Sequence, residues 1–265
     1  MMRIASAQSP IMADPRQNGE HIRALMRMAH AAGARLAHFP EGALSGYVKS
    51  EIQDWNEVDW GLVQRELDLT AQLSAELGIW TVLGSNHRWS SSQRPHNSLI
   101  VISDKGEVHA RYDKRCCSFT ELTEWYTPGR SPVVFEVDGV RFGCAICFEV
   151  QFPELFLEYE RLDVDCVLYS AYTDEPMFGL LARAHAETTC MWVSVSNPAQ
   201  CSGPGGVASC LIGPDGEVIA SCREEGDAAI ALADLDRNDP RFDVALNQAR
   251  PWRREVRANY VGIPA

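Results

Sequence analysis

Apolar and polar positions alternate in short runs over the first hundred residues. The segments "RIASAQ", "ARLAHF", "IWTVLGS" and "SLIVIS" each read as a strand, and Pro40 stops the second. Between them, residues 18–32 and 61–77 carry apolar side chains at helical spacing, with Gly33 and Gly78 as stops. The later chain changes rhythm. After a turn at Asp104-Lys105-Gly106-Glu107 comes the strand "VHARYD". "PVVFEV" and "VRFGCAIC" flank Asp138-Gly139, a hairpin signal. A short helix is expected near Phe152, a buried strand at "DCVLYS", a helix over 179–189 and a strand at "MWVSVS". A second hairpin turns at Pro214-Asp215-Gly216, and "AAIALADL" is the last strand.

Helices and strands that alternate first and then mix with hairpins predict a layered α/β fold, with a mixed sheet or two sheets and helices outside. No repeat, low-complexity segment or linker interrupts the chain, so 1–265 is expected to be a single domain. Its tail, 238–265, carries Arg250, Arg253, Arg254 and Arg257 around Trp252 and is expected to pack on the domain or on a neighbouring subunit.

Composition narrows the function classes. A net charge of −12 leaves no basic stripe for a nucleic acid or an anionic membrane surface. No apolar run reaches membrane-span length, and the first residues lack the apolar core of a secretory signal, so a cytoplasmic location is expected. Nine cysteines, an odd number scattered along the chain, suit a reduced compartment better than a disulfide framework. Only Lys49, Lys105 and Lys114 are lysines among many arginines, which makes each worth weighing.

Three ionisable residues stand just beyond strands: Glu41 after "ARLAHFP", Lys114 ending "VHARYDK", and Cys147 closing "VRFGCAIC". Ligands of layered α/β folds collect at the carboxyl ends of strands. A carboxylate there can take a thiol proton and later activate water. An ammonium, with the N–H just after the nucleophile, can hold an oxyanion. Each residue also has an ordinary role open to it: Cys147 as core, Glu41 as a helix-start charge, Lys114 as a solvated turn lysine. Cys144 and Cys147 form a Cys-x-x-Cys, but residues three apart on a strand face opposite ways, so a redox or zinc pair is disfavoured.

These segments resemble a known family. "HFPEGALSGY", "RYDKRCCSF" and "GCAICFEVQFPELF" are similar to the glutamate, lysine and cysteine motifs of the nitrilase superfamily, the carbon–nitrogen hydrolases, in the same order and spacing. "YTPG", "RAHAETTCMWVSVSN" and "GPDGEVIA" extend the likeness over nearly the whole chain. The resemblance implies a four-layer α-β-β-α sandwich, commonly a homodimer or larger homo-oligomer. It implies a small amide or N-carbamoyl substrate, Cys147 as nucleophile, Glu41 as base, and Lys114 with the N–H of Phe148 at the oxyanion. No metal or organic cofactor is implied. A second family glutamate falls at Glu121 or Glu124, with Glu121 preferred, and the acidic residue two after the nucleophile is Glu149. Tyr172 and Asn197 follow strands where substrate loops would lie. Phe148 stands where true nitrilases carry Trp, which favours an amidase or carbamoylase; Gln151 stands where the family often has Arg, which removes a fixed positive charge and speaks against a substrate held by a carboxylate clamp there. A nitrilase, an acyl transferase and an inactive binding protein are the alternatives.

Overall fold

The structure is a computed structural model that describes residues 1–90, 92–223 and 226–261; the last residues of the expected tail, 262–265, lie outside it. Two sheets of six strands form its centre. The first contains β1 (Met2–Gln8), β2 (Leu36–His38), β3 (Trp80–His87), β4 (His96–Ile102), β5 (Val108–Asp113) and β12 (Ala229–Leu235), in the order β12-β1-β2-β3-β4-β5. The second contains β6 (Val134–Val137), β7 (Val140–Ile146), β8 (Cys166–Ser170), β9 (Trp192–Ser196), β10 (Cys210–Ile212) and β11 (Val218–Ser221), in the order β11-β10-β9-β8-β7-β6. In each sheet three parallel strands, β1-β2-β3 and β7-β8-β9, are flanked by antiparallel ones.

Alternation along the strands decides the layers. In the first sheet Ile4, Leu36, Val82, Leu99, Val101 and Tyr112 face inward to a core shared with the second sheet. Their neighbours Ala5, Ala37, Leu83, Ile100 and Ile102 face outward, against Ile22, Leu25 and Met26 of α1 (Pro15–Ala31) and Val63, Leu67 and Leu73 of α2 (Trp60–Leu77). On the far side, Leu155, Phe156 and Tyr159 of α3 (Pro153–Arg161) and Ala182 and Ala186 of α4 (Pro176–Thr189) cover the second sheet. The result is the four-layer α-β-β-α sandwich. Each side chain of Leu or Ile size so enclosed contributes roughly 1.5–3 kcal/mol of transfer free energy.

A polar seam runs through the apolar inter-sheet core. His38 of β2 lies with Nδ1 2.9 Å from Ser194 Oγ and Nε2 2.8 Å from Ser170 Oγ, bridging to β9 and β8. Ser170 donates to Phe39 O, Ser196 to Ala7 O, and Ser6 to Val195 O. The sheets are thus pinned in register beside the strand ends.

Within the described part of the tail, Arg250 to Arg257 pack against α3 and the loop after it. Arg250 donates to Val164 O at 2.7 Å and Arg257 to Glu160 at 2.7 Å, while Arg254 pairs with Asp163. A short helix, α5 (Arg250–Val256), carries the first two turns of this basic segment. No helix among the described residues is long and apolar enough to cross a membrane.

Candidate functional site

β7 ends at Ile146, and Cys147 turns the chain with φ of +47°, a left-handed conformation that costs a non-glycine residue on the order of 1 kcal/mol. A 3-10 turn over Cys147–Gln151 follows, and Pro153, which needs no N–H partner at the first helical position, opens α3. Buried Glu149 fixes this elbow. Its carboxylate accepts from the N–H groups of Ile146 (2.7 Å), Arg115 (2.6 Å) and Cys116 (3.1 Å) and from the hydroxyl of Tyr112 (2.8 Å). One side chain therefore ties the loop after β5 to the turn after β7. Tyr169 donates to Cys147 O at 3.0 Å, and the pairing of β8 with β7 at Ser170↔Ile146 brings Tyr172 just beyond the strand end beside this elbow.

The loop after β5 delivers Lys114, which is buried. Its Nζ donates to Glu121 Oε1 at 2.7 Å and to Glu41 Oε1 at 3.0 Å. Asn97 Nδ2 adds a 2.6 Å bond to the same Glu41 oxygen. Glu41 Oε2 is buried with no partner among the described residues. Glycines make the close packing possible. A Cβ on Gly84 would sit 1.9 Å from Pro40 O, and one on Gly129 would sit 2.1 Å from Asp113 O, so the strand or loop beside each acidic or basic residue must be bare. Gly129 also donates to Lys114 O at 2.8 Å.

Charge and burial set the protonation states. Burial alone would lower the Lys114 ammonium, but Glu41 and Glu121 outweigh it and hold its pKa well above the usual lysine value. Burial pushes Glu41 up, and Lys114 offsets this only in part. Burial also works against ionised Glu121, yet Lys114 and the Ser118 N–H, 2.8 Å away, bring it below the usual glutamate value. Burial first, then the Glu41 charge, raise the Cys147 thiol, and Lys114 counters them incompletely. The group thus rests as a neutral thiol beside a carboxylate with heightened proton affinity and a firmly charged ammonium. Such a set can pass a proton from sulfur to Glu41 while sulfur forms a bond.

The remaining expected residues fall as follows. Glu121 meets Lys114, whereas Glu124 is exposed. Phe148 lies one residue into the elbow, its ring edge-on to Phe152. Glu149 is turned wholly to backbone N–H groups and Tyr112. Asn197 is occupied likewise: Nδ2 donates to Thr173 O and Val207 O, and Oδ1 accepts from Thr173 N. Tyr172 donates to Glu51 at 2.9 Å, and its ring stacks on Tyr47 at 4.6 Å and 16°. Tyr47 and Asn97 were not singled out from sequence. Tyr47 lay in plain sight in "ALSGY", six residues beyond Glu41; Asn97 carried no signal, because β4 pairs with β3 only in the folded sheet. Among the described residues no group of three or more His, Cys, Asp or Glu side chains could hold a metal ion, and all nine cysteines are free.

Comparison with known proteins adds the following. The carbon-nitrogen hydrolase family model matches residues 3–241. A chloroplastic omega-amidase of Arabidopsis thaliana is 28% identical over 268 aligned positions, covering 93% of this chain and 72% of that protein. A deaminated glutathione amidase of Homo sapiens is 27% identical over 261 positions, covering 88% and 77%. Among solved structures, an amidase from Nesterenkonia sp. AN1 superposes with a TM-score of 0.79 at 25% identity, over 95% of this chain and 100% of that one. A mutant of the amidase from that organism shows Michael addition of acrylamide at its active site cysteine; at 23% identity and a TM-score of 0.79 its likeness is one of fold.

Proposed function

Because the chain belongs to the carbon–nitrogen hydrolase family, and is a C–N hydrolase of the amidase type, we propose that it cleaves a small amide or N-carbamoyl compound through a thioester on Cys147. The observation that carries this is the buried chain Glu121–Lys114–Glu41, with one Glu41 oxygen unpartnered, within electrostatic reach of a thiol on a left-handed turn.

The steps follow from the protonation states. Glu41 takes the thiol proton as the Cys147 sulfur attacks the amide carbon. Lys114 and the N–H of Phe148 hold the oxyanion of the tetrahedral intermediate. Collapse expels the nitrogen, which leaves as ammonia or an amine with the proton that Glu41 held. Water enters, gives a proton to Glu41, and attacks the thioester; collapse releases the acid and returns the proton to sulfur. Lys114 stays charged throughout, which keeps Glu41 ionised in the resting enzyme despite its burial. Glu121 holds Lys114 from the other side. The relatives' names, both amidases, favour a carboxamide over a nitrile.

The test is intact-protein mass spectrometry after incubation with primary amides, N-carbamoyl amino acids and nitriles. Wild-type protein quenched in acid during turnover should carry an acyl adduct whose mass identifies the acyl group. The adduct should vanish in Cys147→Ala. A folded protein that forms no adduct with any class, and whose Cys147 resists alkylation, would refute the proposal and revive a binding role.

A further inference from the structure

Tyr47 occupies a position that the steps above leave unused. It ends the buried loop that starts at Glu41, and this loop is held rigid. Asn86 donates to Gly46 O at 3.0 Å, Ser45 Oγ accepts from Asn86 N at 2.8 Å, and Tyr47 N donates to Glu51 at 3.0 Å. Glu51 in turn accepts from the Tyr172 hydroxyl, and the Tyr47 and Tyr172 rings stack. Since β8 pairs with β7 at Ser170↔Ile146, Tyr172 stands just beyond the strand end beside the Cys147 elbow, and the stack sets the Tyr47 ring against it. The charges of Glu41, Lys114, Cys147 and Glu121 all act on the phenol. Yet its hydroxyl makes no hydrogen bond among the described residues, while the other hydroxyls of this neighbourhood are engaged: Tyr126 with Asn86, Tyr169 with Cys147 O, Tyr112 with Glu149. Tyr47 is also less enclosed than those three, so the free hydroxyl remains open to a ligand.

A rigid ring that ends in a free hydroxyl, on the loop that starts at Glu41 and within electrostatic reach of Lys114 and Cys147, is built to hold something small. Two ligands pass through that space in turn, both bearing hydrogens: the departing nitrogen and then the hydrolytic water. We propose that Tyr47 is a further catalytic residue, whose hydroxyl accepts a hydrogen bond from the leaving nitrogen and then from the water that replaces it, keeping each beside Glu41. Burial, and then the Glu41 charge, raise the phenol's pKa, so it stays neutral at any working pH and takes no part in proton transfer. The inference rests on the thioester reading given above.

The experiment uses Tyr47→Phe, which keeps the stacked ring and removes only the oxygen. Turnover of propionamide and ethyl propionate is compared, or of the primary amide and ethyl ester of whichever acid the adduct screen returns. Because kcat/KM reports acylation alone, the amide should lose about tenfold to a hundredfold in Tyr47→Phe. The ester, whose leaving oxygen carries no N–H, should lose less than about threefold in the same parameter. Its kcat, limited by attack of water on the thioester, should fall with the amide. Unchanged amide kcat/KM in Tyr47→Phe overturns the inference. Equal losses for amide and ester also overturn it, since they would place the hydroxyl on the acyl portion. A wild-type protein that forms no adduct fails the thioester reading instead, before Tyr47 is tested.

Discussion

At the scale of single residues, the site is a set of buried charges that stabilise one another only together. Replacing Lys114 by Ala would leave Glu41 and Glu121 buried and unpaired, a loss on the order of 3–5 kcal/mol, alongside loss of turnover. Urea unfolding should read the first and amide hydrolysis the second. Glu149→Gln turns an NH2 toward main-chain N–H groups and should cost about 1–3 kcal/mol by the same measure. Because burial raises Glu41, the acid limb of the kcat/KM profile should lie above 4.5, the ordinary glutamate value, and activity should fall as pH drops through it. The gathering of Glu41, Lys114 and Cys147 was legible in the sequence because each stands within three residues of a strand end, a local fact. Asn97 was not, since its contact with Glu41 spans 56 positions. Between Glu121 and Glu124 the preferred candidate is the one that meets Lys114. The sequence alone could not decide it, because a wide helical turn over Glu121–Trp125 sets which of the two points inward.

At the scale of elements, strands carry the reacting side chains and glycines let those strands touch. Gly84→Ala should push β3 off the Pro40–Glu41 segment. A stability loss of about 1–3 kcal/mol is expected. Activity should fall further than the folded fraction accounts for, which circular dichroism and turnover on the same sample would reveal. Most strands and both outer helices of the first sheet were readable from period-2 and period-3.6 patterns. Some bounds were not. The helix expected over 179–189 begins at Pro176, which serves as its first residue. The first strand of the second hairpin begins only at Cys210, because Ser209 is held by Asn197 and Gln8 and cannot join the ladder earlier. Such bonds come from distant elements and leave no periodic trace.

At the scale of the whole molecule, the His38 seam makes the sandwich sensitive to acid. Burial lowers His38 to about 3, against 6.5 when unfolded. Between these values the unfolded chain binds a proton that the folded one refuses, so stability drops as pH falls through this window, by about 1.4 kcal/mol per pH unit. Urea unfolding from pH 6.5 to 4 should show that slope reduced in His38→Asn relative to wild type. A variant truncated after 238 should also lose stability, since Glu160 and Asp165 would keep their burial without Arg250, Arg253 and Arg257. The layered class was legible from the alternation, and the placement of the tail was not, because its arginines are read only against α3 and the loop after it.

The pairing of β1 with β12 reaches beyond the folded state. Arg3 meets Asp234 across 231 positions of chain, and the ladder runs from Met2↔Leu235 to Gln8↔Ala229. During synthesis β1 emerges early and its outer edge waits for a strand made more than two hundred residues later. Until then an apolar, unpaired edge faces solvent and other nascent chains. Assembly of the first sheet is therefore a late, long-range and slow event, and the yield of native protein depends on what shields β1 in the interval.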